Sequence, residues 1–293
     1  MVKKRVYSGI RATGRLHLGN YLGAVKGMVA LQDMYDCVFS VVDLHAMTTP
    51  YDPKTLQQNV REVVLDYLSA GLDPKKCLIE IQSQVPQHVE LAYLLSTIYP
   101  LARVEDLPTF KEKKIQHPKY VNVGLLYYPI LMAADILLYK AEVVPAGIDQ
   151  APHIEVTREI ARKFNQMFGE TFPETHRIAT EGQYVPSLTG EGKMSKTVEG
   201  SFITLTDDLE TIRAKLAKVP TDSGTGSIMH GKYLSHKSLF EGGTHAHATA
   251  ESGGVKTLMM LIELFEEKER KQELDSQYQS EGIRDSEIKT ELA

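Results

Sequence analysis

Two short stretches of this chain combine residue types suited to handling phosphate. In the first, Ser8-Gly9-Ile10-Arg11-Ala12-Thr13-Gly14 runs straight into Arg15-Leu16-His17-Leu18-Gly19-Asn20-Tyr21. This reads as a glycine-containing turn between a strand and a helix, where free backbone N–H groups and the positive helix end can receive an anion. His17 sharpens the reading because an imidazole can donate to a phosphate oxygen, and the bare backbone at Gly19 lets a flat ring lie against it. In the second, Lys193-Met194-Ser195-Lys196-Thr197 follows Gly190-Glu191-Gly192. Two lysines three positions apart on a glycine-flanked loop can swing over a polyphosphate and neutralise charge developing on a leaving group. Alone, each stretch is a weak signal: strand–turn–helix glycines are often purely structural, and a bare K-x-x-K is usually a solvated turn.

Asp135 stands in the most apolar stretch of the chain, residues 125–139. A charge there must be paired or used, and a buried arginine partner or a helix cap would account for it as well as a ligand would. Lys111, Lys113 and Lys114 form a basic cluster that a solvated helix face would also explain. His245 and His247 lie among Gly, Thr and Ala, where two histidines are more often polar filler than metal ligands. The two cysteines, Cys37 and Cys77, lack the spacing of a zinc site and are expected as buried, inert thiols.

These groups have to be positioned by regular elements. Residues 5–10, 37–43, 77–82 and 142–146 read as strands, and 19–35, 53–70, 87–98, 125–139 and 150–169 as helices. Apolar runs alternating with helices predict a parallel sheet covered on both faces. Right-handed crossovers then collect the strand C-termini along one edge, where ligands of such sheets bind. From residue 207 the strand signal vanishes. Residues 207–218 and 254–277 read as amphipathic helices, and 221–253 as an irregular loop rich in Gly, Ser, Thr and His. The expected fold class is α/β: a Rossmann-like nucleotide-binding domain over 1–196, followed by a smaller helical domain over 197–293.

At 293 residues with 42% apolar content, the chain can bury a sizeable core. Its net charge of −5 excludes a surface coated in positive charge, so any nucleic-acid partner must be met by a local basic patch. No apolar stretch reaches the roughly 18 residues of a membrane span, and no secretory signal is evident. A soluble, cytoplasmic protein without a membrane partner is expected.

Together, the two stretches resemble the H-I-G-H and K-M-S-K-S signatures of the class I aminoacyl-tRNA synthetases. The departures are Asn20 at the fourth position of the first and Thr197 at the last of the second. The former is typical of the tryptophanyl enzymes and the latter keeps a hydroxyl. Ser8 to Gly14, Val42-Asp43-Leu44-His45-Ala46, Thr109-Phe110-Lys111-Glu112-Lys113, the run from Tyr128 to Tyr139 and Gly147-Ile148-Asp149-Gln150 are similar to the bacterial tryptophanyl branch in particular. The resemblance covers residues 5 to about 222 well and returns faintly at 288–293, which resembles the start of a family helix. Because the chain stops there, a truncated copy or a dispensable last helix is expected.

The resemblance implies activation of tryptophan by ATP, with Mg²⁺ held mainly by the ATP phosphates and no metal site on the protein. Transfer to tRNA(Trp) by a homodimer follows; the apolar run 123–138 suits its interface and burial within one chain equally well. It implies catalytic roles for Lys111, Lys193, Lys196 and His17. It further implies ATP contacts from Arg11, Ala12, Thr13, Gly19, Asn20, Gly147, Ile148, Asp149, Val185, Lys193, Met194, Ser195, Lys196 and Thr197. Asp135 would accept the indole N–H, with Tyr7, His45, Met132 and Val144 lining the ring and Tyr128 and Gln150 at the α-ammonium and rim. Three other readings stay open at this point: a tyrosine-specific sister enzyme, a binding or regulatory paralogue that does not charge tRNA, and a nucleotidyltransferase with another substrate.

Overall fold

The β-branched, apolar runs form β1 (Arg5–Arg11), β2 (Asp36–Val42), β3 (Cys77–Ile81), β4 (Val143–Pro145) and β5 (His176–Ile178). They lie in the order β3-β2-β1-β4-β5, and every pairing is parallel. The computed structural model describes residues 3–178, 184–196, 198–221, 228–229, 253–280 and 283–293. Six of the seven residues of β2 are buried. A strand covered on both faces needs no polar alternation, which is why this segment reads as a continuous apolar run. β5 escapes sequence reading because its three residues, His-Arg-Ile, show neither alternation nor an apolar run. Cys37 and Cys77 are register partners on β2 and β3, buried and unpaired, and burial pushes the Cys37 thiol up to about 12.

Strand order reverses between β1 and β4, and in parallel sheets the C-terminal ends of strands at such a switch point are where ligands bind. Arg11 closes β1, with Ala12 and Thr13 just beyond it. Gly147 and Asp149 follow β4 by a few residues.

The helices in chain order are α1 (Leu18–Asn20), α2 (Lys26–Leu31), α3 (Asp43–Ala46), α4 (Leu56–Ser69), α5 (Gln87–Ser96) and α6 (Leu101–Glu105). There follow α7 (Pro108–Gln116), α8 (Val123–Leu138), α9 (Ala151–Phe168) and α10 (Leu209–Ala217). The single helix expected over 19–35 is instead α1, a π-turn at Tyr21–Val25, and α2. Glycines at 19, 23 and 27 weaken regular helix there. α8 opens on Asn122, whose side chain accepts the Leu125 N–H at 2.9 Å, and it runs through Pro129. Much of its apolar surface is covered from within the chain, Val123 remaining exposed: Ile130, Leu131, Ala133, Ala134 and Leu137 are buried in one core with Ala92 and Leu95 of α5 and Val156 and Ile160 of α9.

The chain forms two compact units. One comprises Met1–Leu16 and Gly23–Gly182 and contains the sheet; the other comprises His17–Leu22 and Gln183–Ala293. The core of the second gathers Leu22, Val185, Leu188, Met194, Leu216, Leu258, Ile262, Leu274 and Ile288. The helix expected over 254–277 is two, Gly253–Phe265 and Lys268–Ser280. Glu263, Glu266 and Glu267 crowd like charge at the break. A last helix, Asp285–Glu291, buries Ile288 completely. One short antiparallel pair, Ile228–Met229 with Ile283–Arg284, corrects the expectation of no strand beyond 207; two residues are too few to show a period. Most of the loop expected over 221–253, including His245 and His247, lies outside the described residues. Among the described residues, no helix is long and apolar enough to cross a membrane.

Candidate active site

In the second unit, the turn at His17 is held by its own side chains. Asn20 N–H is 3.3 Å from His17 Nδ1, and His17 N–H donates to Asn20 Oδ1 at 3.2 Å. This reciprocal cap gives Asn20 a structural reason to occupy the fourth motif position. Leu18 N–H donates to Ile203 O at 2.9 Å, and the ring of Phe202 lies 6.0 Å from that of His17. The lysine loop is anchored too: Met194 is 2% exposed, its N–H donates to Val185 O at 2.9 Å, and Ser187 N–H donates to Gly192 O at 2.9 Å. Gly190 and Gly192 turn this hairpin with φ of 90° and 74°. A Cβ on Gly19 would lie 2.9 Å from the His17 ring and 3.4 Å from Met194 Cβ. The two stretches picked out in the sequence are therefore in contact. Burial, then the charges of Lys196 and Lys193, press the His17 pKa down to about 4, so the ring is neutral near pH 7. Lys193 is exposed and Lys196 half-buried, while Thr197 lies outside the described residues.

In the first unit, Asp135 is 1% exposed on α8. His45 Nε2, from α3, lies 2.8 Å from Oδ2, and His88 Nδ1, from α5, lies 2.6 Å from Oδ1. Gln82 Nε2 reaches both oxygens, at 2.8 and 2.9 Å. The amide is fixed the right way round because Gln82 Oε1 accepts the Leu44 N–H at 3.1 Å. Burial by itself would raise the Asp135 pKa, but the hydrogen bonds from His45 and His88 outweigh it and hold the carboxyl below its usual range. The partner of this buried charge is thus a pair of histidines and an amide, neither an arginine nor a cap.

Around it, Tyr7, Val144 and half-buried Met132 share one apolar cluster. The His45 and Tyr128 rings meet edge to face at 6.2 Å. Tyr128 Oη donates to Thr109 Oγ1 at 2.8 Å and lies 3.0 Å from His153 Nε2. Gln150 donates to Asp149 Oδ2 at 2.9 Å, and a Cβ on Gly147 would lie 2.4 Å from Asp149 Oδ1, so a side chain there would push the exposed Asp149 carboxylate aside. The Ile148 side chain is not described. Lys111 is exposed on α7 and ion-paired to Asp106 at 3.0 Å. Asp66, 4% exposed, accepts Leu16 N–H at 2.7 Å and Arg15 at 2.8 Å, fixing the chain just before His17.

Sequence reasoning missed Glu80, Gln82, His88 and His153. The available signal was Glu80 inside the apolar run Cys-Leu-Ile-Glu-Ile, a charge that a buried strand cannot leave unpaired.

The family of class I tRNA synthetases for tryptophan and tyrosine (W and Y) matches residues 2–291. The chain belongs to that family. The synthetase is 49% identical over 225 residues to a tryptophan–tRNA ligase of Caldanaerobacter subterraneus, spanning 75% of this chain and 68% of the relative. It is 47% identical over 228 residues to that of Helicobacter pylori, spanning 76% and 70%. Among solved structures, the synthetase matches the tryptophanyl-tRNA synthetase of Campylobacter jejuni complexed with ADP and tryptophan. That match has a TM-score of 0.76 and 31% identity, and it covers 98% of this chain and 83% of the other.

Proposed function

We propose that this synthetase is a tryptophan–tRNA ligase, activating tryptophan with ATP and passing it to the 3′-terminal ribose of tRNA(Trp). The observation that carries the reading is the contact of the His17–Gly19 turn with the Met194 loop, which puts a neutral imidazole among lysines. The relatives at 49% and 47% identity bear tryptophan in their names, so a tyrosine-specific activity is not favoured.

In the first step the tryptophan carboxylate attacks the α-phosphorus of ATP and pyrophosphate leaves. The nucleophile is already ionised, so no general base is needed, and catalysis rests on positioning and charge. Lys193, Lys196 and Lys111 stabilise the triphosphate, and His17 donates to a phosphate oxygen. Before that, Lys111 exchanges Asp106 for phosphate. A Mg²⁺ ion brought by the nucleotide would supply further positive charge at the triphosphate, and Lys193 and Lys196, as cations, would add charge beside it and not ligands. Arg11, Ala12, Thr13, Gly19, Asn20, Gly147, Ile148, Asp149, Val185 and Met194 to Thr197 line the nucleotide. In the second step the terminal 2′-hydroxyl of the tRNA attacks the adenylate.

Asp135 accepts the indole N–H, between Tyr7, His45, Met132 and Val144, with Tyr128 and Gln150 at the amino-acid end. Its oxygens offer roughly four acceptor positions, and protein donors occupy them in this structure, so the indole displaces one. His45, 10% exposed against 0% for His88, is the donor that yields. We assign catalysis to residues 1–196 and anticodon binding to 197–293, in a cytoplasmic homodimer. The test is ATP–pyrophosphate exchange with tryptophan, tyrosine and phenylalanine in parallel. Exchange with tryptophan alone is expected; exchange with tyrosine would move the assignment to the sister enzyme. No exchange from folded, ATP-binding protein would indicate a non-charging paralogue.

A further inference from the structure

Behind Asp135 lies a second buried carboxylate, Glu80 on β3, 8% exposed. The two are bridged by His88, which is 0% exposed in the first turn of α5. Its Nδ1 is 2.6 Å from Asp135 Oδ1, and its Nε2 is 3.2 Å from Glu80 Oε1 and 3.4 Å from Oε2. Glu80 also accepts the hydroxyl of Tyr139, whose ring packs 5.7 Å from His88. An ionised carboxylate is acceptor only, so a ring placed between two of them carries a proton on each nitrogen. His88 is therefore an imidazolium sealed inside the protein, in line with its pKa. Burial alone would lower that pKa, but the bonds to Asp135 and Glu80 raise it to about 9.

We propose that His88, clamped between Asp135 and Glu80, is a specificity-determining positioning residue that keeps Asp135 an acceptor-only group and so makes the pocket demand an N–H donor. The inference rests on the reading of Asp135 as the indole acceptor. Without the cation, Asp135 and Glu80 become two buried like charges and one takes up a proton. A protonated Asp135 is donor as well as acceptor, and the pocket then tolerates a ring with no N–H. With the clamp intact, a ligand lacking the donor displaces His45 and leaves that acceptor position of a buried anion unfilled, the kind of mismatch that gives discrimination of about 10⁴–10⁵ in other sites. The groups facing His88 and Asp135 are Glu80 from β3, Gln82 after it, His45 from α3, Tyr7 from β1 and Tyr139 from the end of α8.

The experiment compares L-tryptophan with its benzothiophene analogue, in which sulfur replaces the indole N–H. The chain contains no tryptophan, so ligand emission excited beyond the tyrosine band can be followed without tryptophan background from the protein. The wild type is expected to prefer tryptophan strongly. In His88→Asn, which keeps a neutral donor toward Asp135, the preference should fall by about tenfold or more while ATP affinity is unchanged. An unchanged preference overturns the inference. Asp135→Ala, which removes the acceptor, separates the two readings: if it leaves tryptophan affinity intact, the assignment of Asp135 itself fails.

Should His88→Asn not fold, His88→Gln carries the test through pH. Both ligands share the same α-ammonium, so its titration cancels in their ratio. In the variant the carboxyl that took up a proton ionises again as pH rises, so its preference for tryptophan should climb with pH, while the wild-type ratio stays flat through neutral pH, where His88 is cationic. A variant ratio that does not change with pH would refute the clamp.

Discussion

His17 and Asn20 cap each other: Nδ1 of the imidazole accepts the Asn20 N–H, and the Asn20 side chain accepts the His17 N–H. With Nδ1 committed as acceptor, the proton of the neutral ring sits on Nε2, the atom left to donate to a phosphate oxygen. His17→Ala should slow adenylate formation by about 10²–10³, the usual cost of one preorganised donor. His17→Gln, which returns an N–H near the Nε2 position, should recover part of it. Pyrophosphate exchange measures both, and equal losses in the two variants would deny the donor role. Because the ring titrates at about 4, Nδ1 keeps accepting the Asn20 N–H until pH falls toward that value, while Nε2 carries its proton throughout.

Gly19→Ala should be as damaging as a substitution of His17, for a reason internal to the protein. The new methyl would lie 2.9 Å from the His17 ring, which must move. Exchange activity should fall sharply while tryptophan affinity holds. Near-normal exchange would show that the ring has room to shift.

Lys196→Ala should slow the first step by about 10²-fold or more, through lost stabilisation of charge on the departing pyrophosphate. Tryptophan affinity should stay nearly unchanged. Single-turnover adenylate formation and tryptophan titration separate the two effects, and a large affinity loss would contradict the assigned role.

Two buried histidines should give stability opposite pH dependences. His88 is raised from 6.5 to about 9, so the folded state binds the extra proton between these values. Its contribution is complete below 6.5 and is lost as pH rises through about 9. His17 is lowered from 6.5 to about 4, so there the unfolded chain binds the extra proton, and stability falls as pH drops from 6.5 toward 4. Denaturant unfolding across pH should show both arms. His88→Asn should flatten the alkaline arm and His17→Gln the acid one; arms that persist in these variants would assign the dependence elsewhere.

How much of this was legible beforehand varied with the kind of signal. β2 and α8 were plain because long apolar runs have few alternatives. The two phosphate stretches were plain because their residues are contiguous. The setting of Asp135 was not, since His45, Gln82 and His88 come from three separate segments and meet only through the sheet and α5. The break at Tyr21–Val25 was hidden as well: apolar spacing continues through it, while the backbone departs from the α-helix.

The segment His17–Leu22 packs in the second unit although residues of the first flank it on both sides. The chain therefore changes unit at Leu16–His17, at Leu22–Gly23 and again at Gly182–Gln183. No single cut separates the units into self-sufficient fragments. A fragment ending at Gly182 would carry Leu18, Tyr21 and Leu22 with no core to enter, and the remainder would lack the Leu22 side chain at its centre. Exchange of the second unit between relatives, in evolution or by gene fusion, must then carry along a matching replacement of residues 17–22.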